Sequence, residues 1–331
     1  MRVVTFKKDE SDNRIGLIHG DKIADLRATF EKSLSGEKAI TVDRAKNIAR
    51  KQIPDSMIDL IRREDDGVRS IKQVTEFLNR SDEKVLSLER SPNGDKIIYD
   101  KDEVQILKPL QVFRALNVGA NYNAYLAMMK FVEPLEGTVE TFWKLPQIVI
   151  GPEEEILWPV SSEQVSCEME LGVIIGKKIK RVSKNDALDC VFGYTVVNDV
   201  TAIDLIKRGL GVGREGLPGF FYVCLAKSFD TFEPIGPCIT LKDEIPDPQN
   251  LTAEYRINGE LKVKGNTSDM RLKVAEIIAY ISQDITLYPG DLIATGAMAT
   301  EEYAPQVNVQ IGDIIEMEID KIGILRNRIA R

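Results

Sequence analysis

Histidine is nearly absent from this chain of 331 residues, which carries one, His19. That scarcity excludes several chemistries together. An H-E-x-x-H metalloprotease, a Cys2His2 finger and an iron site of two histidines and a carboxylate each need more than one imidazole, and a histidine-dependent triad has only His19 to use. Cysteine is sparse as well. Cys167, Cys190, Cys224 and Cys238 form no C-x-x-C pair, and are expected to be reduced thiols of a cytoplasmic protein. Basic residues do not outnumber acidic ones. With 44 Lys and Arg against 52 Asp and Glu, a net charge of −8, nothing is left over to neutralise phosphates, which argues against a nucleic-acid partner. Long apolar runs are missing too. The longest, residues 217–226, is about half of a membrane span, and the opening segment turns charged at Lys7, leaving no signal-peptide core. No membrane partner is expected.

What is present is enough for two domains, since one domain usually takes roughly 100–200 residues. The first segment reads as a strand at residues 3–6 and a hairpin whose arms, 15–18 and 23–26, flank the turn signal His19-Gly20-Asp21. Helical spacing follows from 41 to 89, with Ile48, Ile53, Met57, Leu60 and Ile61, then Ile71, Val74, Phe77 and Leu78. Lys108-Pro109 marks a boundary, so a small α+β amino-terminal domain is expected at 1–108 and a second domain at 109–331. The second is strand-rich, with turns at Asn258-Gly259, Pro289-Gly290-Asp291 and Gly312-Asp313. Two or three helices are expected in it, the clearest at 274–282 with Ile277, Ile278 and Ile281 on one face. Strands without strict alternation with helices predict an α+β fold rather than a doubly wound sheet.

A G-x-G-x-x-G match occupies residues 211–216. Nucleotide binding needs a strand before such a loop and a helix after it; here a helical stretch precedes it, and the match reads as a plain glycine loop. Glu168-Met169-Glu170 is more informative. In an extended run both carboxylates fall on one face, a donor pair suited to a hard divalent cation. The same triplet at Glu316-Met317-Glu318, alternating with Ile315 and Ile319, reads as a solvated strand face. Asp199 ends a strand, where its carboxylate can cap a helix or serve a site. Lys227 would leave three carboxylates and a cation nearly neutral and able to hold an anion.

Larger blocks carry a resemblance. KLPQIVIGP, EMELGVIIGKK, ALDCVFGYTVVNDVTAID, AKSFDTFEPIGP, RINGE, NTSDM, IIAYISQDITLYPGDLIATG and IGDIIEMEIDKIGIL resemble successive blocks of the fumarylacetoacetate hydrolase family, and RIGLIHGDKIADL resembles the small domain many members carry. The resemblance implies a distorted mixed β-roll, homodimerisation, and Mg²⁺, Mn²⁺ or Ca²⁺ held by Glu168, Glu170 and Asp199. It implies substrate contacts at Tyr122, Lys144, Thr295 and Gly296. The substrate class it implies is a small anionic 2-oxo or β-diketo acid, handled through a metal-stabilised enolate.

The chain departs from that pattern where the family keeps its polar machinery. The water-activating N-Y-x-x-H-x-x-E segment reads Asn121-Tyr122-Asn123-Ala124-Tyr125-Leu126-Ala127-Met128, with Tyr125 for histidine and Met128 for glutamate. T-A-R-D-x-Q reads Thr201-Ala202-Ile203-Asp204-Leu205-Ile206, and T-G-T reads Thr295-Gly296-Ala297. A pocket without its general base suits a tautomerase, decarboxylase, dehydratase or other lyase better than a hydrolase. Lys227, its pKa drawn down beside a cation, and Tyr125 are the expected catalytic groups. The alternatives are C–C hydrolysis of an acylpyruvate or fumarylacetoacetate-like acid, and a metal-binding protein without catalysis.

Overall fold

The amino-terminal strand Arg2–Lys7 buries Val3, Val4 and Phe6 and pairs on one side with the hairpin arm Arg14–His19. On its other side it pairs with Glu233–Leu241, bringing Arg2 opposite Thr240. One 12-stranded mixed sheet therefore runs through the whole molecule. The chain is described here from a computed structural model at residues 1–8, 13–35, 40–81, 89–128, 137–211, 218–300, 302, 304 and 307–331, without the side chains of residues 125, 128, 210, 211 and 218–221.

From one edge the sheet runs through Ile98–Asp100, Lys22–Asp25, Arg14–His19, Arg2–Lys7, Glu233–Leu241, Val191–Asn198, Met169–Ile175, Leu292–Ala294, Ala115–Val118 and Thr141–Lys144. The central strands Val191–Asn198 and Met169–Ile175 are buried at every position. Such strands are covered on both faces. On one face Leu171, Val173, Tyr194 and Val196 pack with Tyr255, Met317 and Leu325, which belong to a five-stranded sheet of Glu260–Asn266, Thr252–Ile257, Ile314–Ile319, Gly323–Ala330 and Glu155–Leu157. On the other face Ile174, Phe192, Val197 and Ile239 join Phe30, Leu60, Ile71 and Val74, from the helices Leu26–Ser35, Met57–Ile61 and Asp65–Arg80. Segments 1–108 and 109–331 thus share both a sheet and a core. The architecture is α+β, as the unalternated strands predict.

The helix expected at 274–282 runs Val274–Asp284. His19 closes its strand opposite Lys22 instead of lying in the turn, because the two-residue turn needs only Gly20 and Asp21. The stretch at 217–226 forms a helix, Pro218–Ala226, after Ile203–Gly211. With Asn123–Met128 and Val274–Asp284 the described residues after 108 hold four α-helices, more than the two or three expected. The glycine match follows a helix that ends at Gly211, and its residues 212–216 lie outside the described ones. No described helix is long and apolar enough to cross a membrane.

Candidate active site

Glu168 occupies a one-residue break between Val165–Cys167 and Met169–Ile175, so Glu168 and Glu170 leave the sheet on the same side. The neighbouring strand delivers the third carboxylate: Met169 pairs with Asn198, the Asp199 amide donates to the Glu168 carbonyl at 2.9 Å, and the Glu168 amide donates to Asn198 Oδ1 at 3.3 Å. This register needs close strands at Gly172, where a Cβ would stand 2.6 Å from Val197 Cγ2. Glu168, Glu170 and Asp199 are all buried, and their oxygens lie within 4.8 Å of one another.

Two lysines face this cluster. Lys227 Nζ donates to Asp199 Oδ2 at 2.5 Å, Thr201 Oγ1 at 2.8 Å and Glu168 Oε2 at 3.3 Å, and sits over the Phe142 ring at 5.3 Å. Lys144 pairs with the other Asp199 oxygen, with Glu233 Oε2 at 2.8 Å, and with the Phe232 carbonyl at 2.6 Å. Glu170 Oε2 accepts from the Gly296 amide at 2.8 Å. That amide is aimed by backbone at φ +103°, where a Cβ would meet Asn121 Cβ at 2.7 Å.

The electrostatics follow from burial. Burial and the nearby Asp199 charge push the Glu170 carboxyl well above the ordinary range. Burial also raises Glu168, against the pull of Lys227. For Asp199 burial works the same way but loses to Lys144 and Lys227, which hold it low. With no cation bound, burial alone would lower Lys227, but Asp199 and Glu168 outweigh burial and raise it, so in the metal-free site it is an ammonium.

A divalent cation fits these residues. Three oxygen donors within 4.8 Å of one another match ligand distances of about 2.0–2.6 Å around one hard ion. Charge agrees: four buried carboxylates, with Glu233 as the fourth, face two buried lysines, and burial raises Glu168, Glu170 and Glu233, a cost of ionisation that a bound cation would relieve.

The other expected site residues are spread around this cluster. Tyr122 is fully buried, with its hydroxyl unpartnered among the described residues; burial, then the charges of Glu170 and Asp269, keep it a neutral phenol. The Thr295 hydroxyl donates to the Leu171 carbonyl at 2.9 Å, and Asn121 Nδ2 donates to the Thr295 carbonyl at 2.7 Å. Tyr125 belongs to the helix Asn123–Met128, but its side chain and that of Met128 lie outside the described residues. Ile203 and Ala297 are buried and Ile206 is half-buried against the core. Glu316 and Glu318 pair with Arg326 and Arg256 on the strand face expected for them. Sequence reasoning missed Thr201, Asn117 and Glu233. The only signal for Glu233 was a lone carboxylate in the apolar run FEPIGPCITL.

Comparison with known proteins decides the family. The family profile described as fumarylacetoacetate (FAA) hydrolase C-terminal matches residues 114–330. The chain belongs to the fumarylacetoacetate hydrolase family. Human mitochondrial oxaloacetate tautomerase FAHD2A is 34% identical over 262 residues, covering 78% of this chain and 80% of the relative. Among solved structures, the fumarylacetoacetate hydrolase of Exiguobacterium antarcticum superposes with a TM-score of 0.71 at 28% identity, covering both chains completely. The maleylpyruvate hydrolase of a Sphingobium species, solved with manganese(II) and pyruvate, gives 0.67 at 26% identity, covering 100% of this chain and 99% of that one. These relatives are named as a tautomerase and as hydrolases.

Proposed function

We propose that this protein is a divalent-metal-dependent enzyme of small 2-oxo acids that relocates a proton, with keto–enol tautomerisation of an oxaloacetate-like acid as its reaction. The observation that carries the reading is a buried carboxylate triad bound to an ammonium, with no imidazole near it. His19 lies four strand positions from the Met169–Ile175 strand, roughly 19 Å at about 4.8 Å per strand. Glu168, Glu170 and Asp199 would hold Mg²⁺ or Mn²⁺. When bound, the cation supplies Lewis acidity that makes the carbon beside an oxo group more acidic.

The residues around it do the remaining work. Lys227, whose Nζ is held by Asp199 and Glu168, stabilises negative charge on a bound oxo acid or releases a proton from Nζ; it does not activate water. Ile203 and Ala297 keep the surroundings apolar, which strengthens every charge interaction there. Tyr125 serves as a second acid in this proposal, and Tyr125→Phe tests that role alone. The manganese and pyruvate in the Sphingobium relative support the metal and substrate class, and the human relative's name supports the reaction.

The test is a panel of 2-oxo acids incubated with the Mn²⁺-loaded protein and followed by proton NMR. Faster exchange between the enol and keto forms, with carbon skeletons intact, is expected. Release of two carbon fragments would establish hydrolysis instead, and loss of CO₂ would establish decarboxylation.

A further inference from the structure

Beside the triad and Lys227 lies a second buried lysine, Lys144, for which the family resemblance implies a substrate contact. Lys144 ends the edge strand Thr141–Lys144, yet its side chain is fully buried, as is that of Glu233. Its ammonium is shared between Asp199 Oδ1 and Glu233 Oε2, the latter at 2.8 Å, with the Phe232 carbonyl at 2.6 Å as a third partner. Asn117 Nδ2 steadies the same Glu233 oxygen at 3.5 Å. Asp199 is thus gripped on both oxygens, by Lys144 on one and by Lys227 on the other. An ammonium paired with one carboxylate alone would spend its whole charge there, weakening that carboxylate as a ligand.

We propose that Glu233 is a positioning residue for Asp199: by taking half of the Lys144 ammonium, it leaves Asp199 enough negative charge to hold a divalent cation. The Lys144 ammonium bridges Glu233 to Asp199, so the effect proposed is read with that lysine present and removed. This inference rests on the metal-binding reading of the triad, deepening it by assigning who sets the affinity.

The test is Mn²⁺ titration of the full chain by calorimetry, checked by the electron paramagnetic resonance signal of free Mn²⁺, in the parent, Glu233→Gln and Lys144→Met/Glu233→Gln proteins. Glu233→Gln keeps the shape and loses the charge, and is expected to weaken Mn²⁺ binding roughly tenfold or more. The double variant removes both opposing charges and is expected to recover affinity to within about threefold of the parent. Unchanged affinity in Glu233→Gln overturns the proposal while leaving the triad in place. A double variant as weak as Glu233→Gln overturns it as well, since a packing role predicts further loss. If the double variant does not fold, the unfolding midpoint of Glu233→Gln in EDTA decides: within about 2 °C of the parent supports the proposal, and a fall of more than about 5 °C overturns it. Absence of Mn²⁺ binding by the parent removes the triad reading and this inference together.

Discussion

Asp199 is the residue on which the site turns, because both lysines meet on its carboxylate and its backbone is tied to Glu168. Asp199→Asn and Glu170→Gln are each expected to abolish detectable Mn²⁺ binding in calorimetry, with folding retained; unchanged affinity in either would place the cation elsewhere. The titrations give a signed pH dependence. Burial and then Asp199 raise Glu170, with Lys227 opposing; burial brings Glu233 to about 7 and Asp25 to about 6. An acid raised by folding contributes stability below its unfolded value, about 4, that is lost as pH climbs through the folded value. The protein in EDTA is therefore expected to melt lower at pH 7.5 than at pH 5, and the upward shift caused by Mn²⁺ to be larger at pH 7.5. Scanning calorimetry at the two pH values checks this. Glu168 and Glu170 are legible in sequence because a two-residue period joins them locally. The bond from Lys144 to Glu233 is not, since it depends on which distant strands become neighbours.

At the scale of elements, the loop after Leu292–Ala294 matters more than its length suggests. Gly296 holds φ +103° with Asn121 Cβ close to where its own Cβ would fall, and its amide donates to Glu170. Gly296→Ala is expected to cost about 1–3 kcal/mol of stability and to weaken Mn²⁺ binding, measured by urea unfolding and calorimetry. Retained affinity would show that the amide does not orient Glu170. Elements with clear periodicity were readable in advance, as with the helix Val274–Asp284. The helix Pro218–Ala226 was not, because it is apolar on all sides and its Pro-Gly start resembles a break, although proline suits a first helical turn.

For the whole molecule, the pairing of Arg2–Lys7 with Glu233–Leu241 makes the amino-terminal segment part of the framework behind the site. Which strands would join across the chain was hidden in the sequence, because an apolar or alternating run marks a strand without naming its distant partner. Homodimerisation remains a proposal: Trp143 and Leu145 are exposed at the edge strand, with Leu225 exposed on the helix packed near it. Light scattering is expected to give twice the 37.1 kDa chain mass, and a single-chain mass would reject the dimer. The central claim is metal-dependent proton relocation in a site without histidine. The measurement that meets it most directly is the decay of the oxaloacetate enol absorbance with Mn²⁺-loaded parent, His19→Ala and Glu170→Gln proteins. The account predicts acceleration by the parent, a rate within a few-fold of it for His19→Ala, and none for Glu170→Gln. A loaded parent no faster than Mn²⁺ in buffer, or a hundredfold loss in His19→Ala, would contradict it.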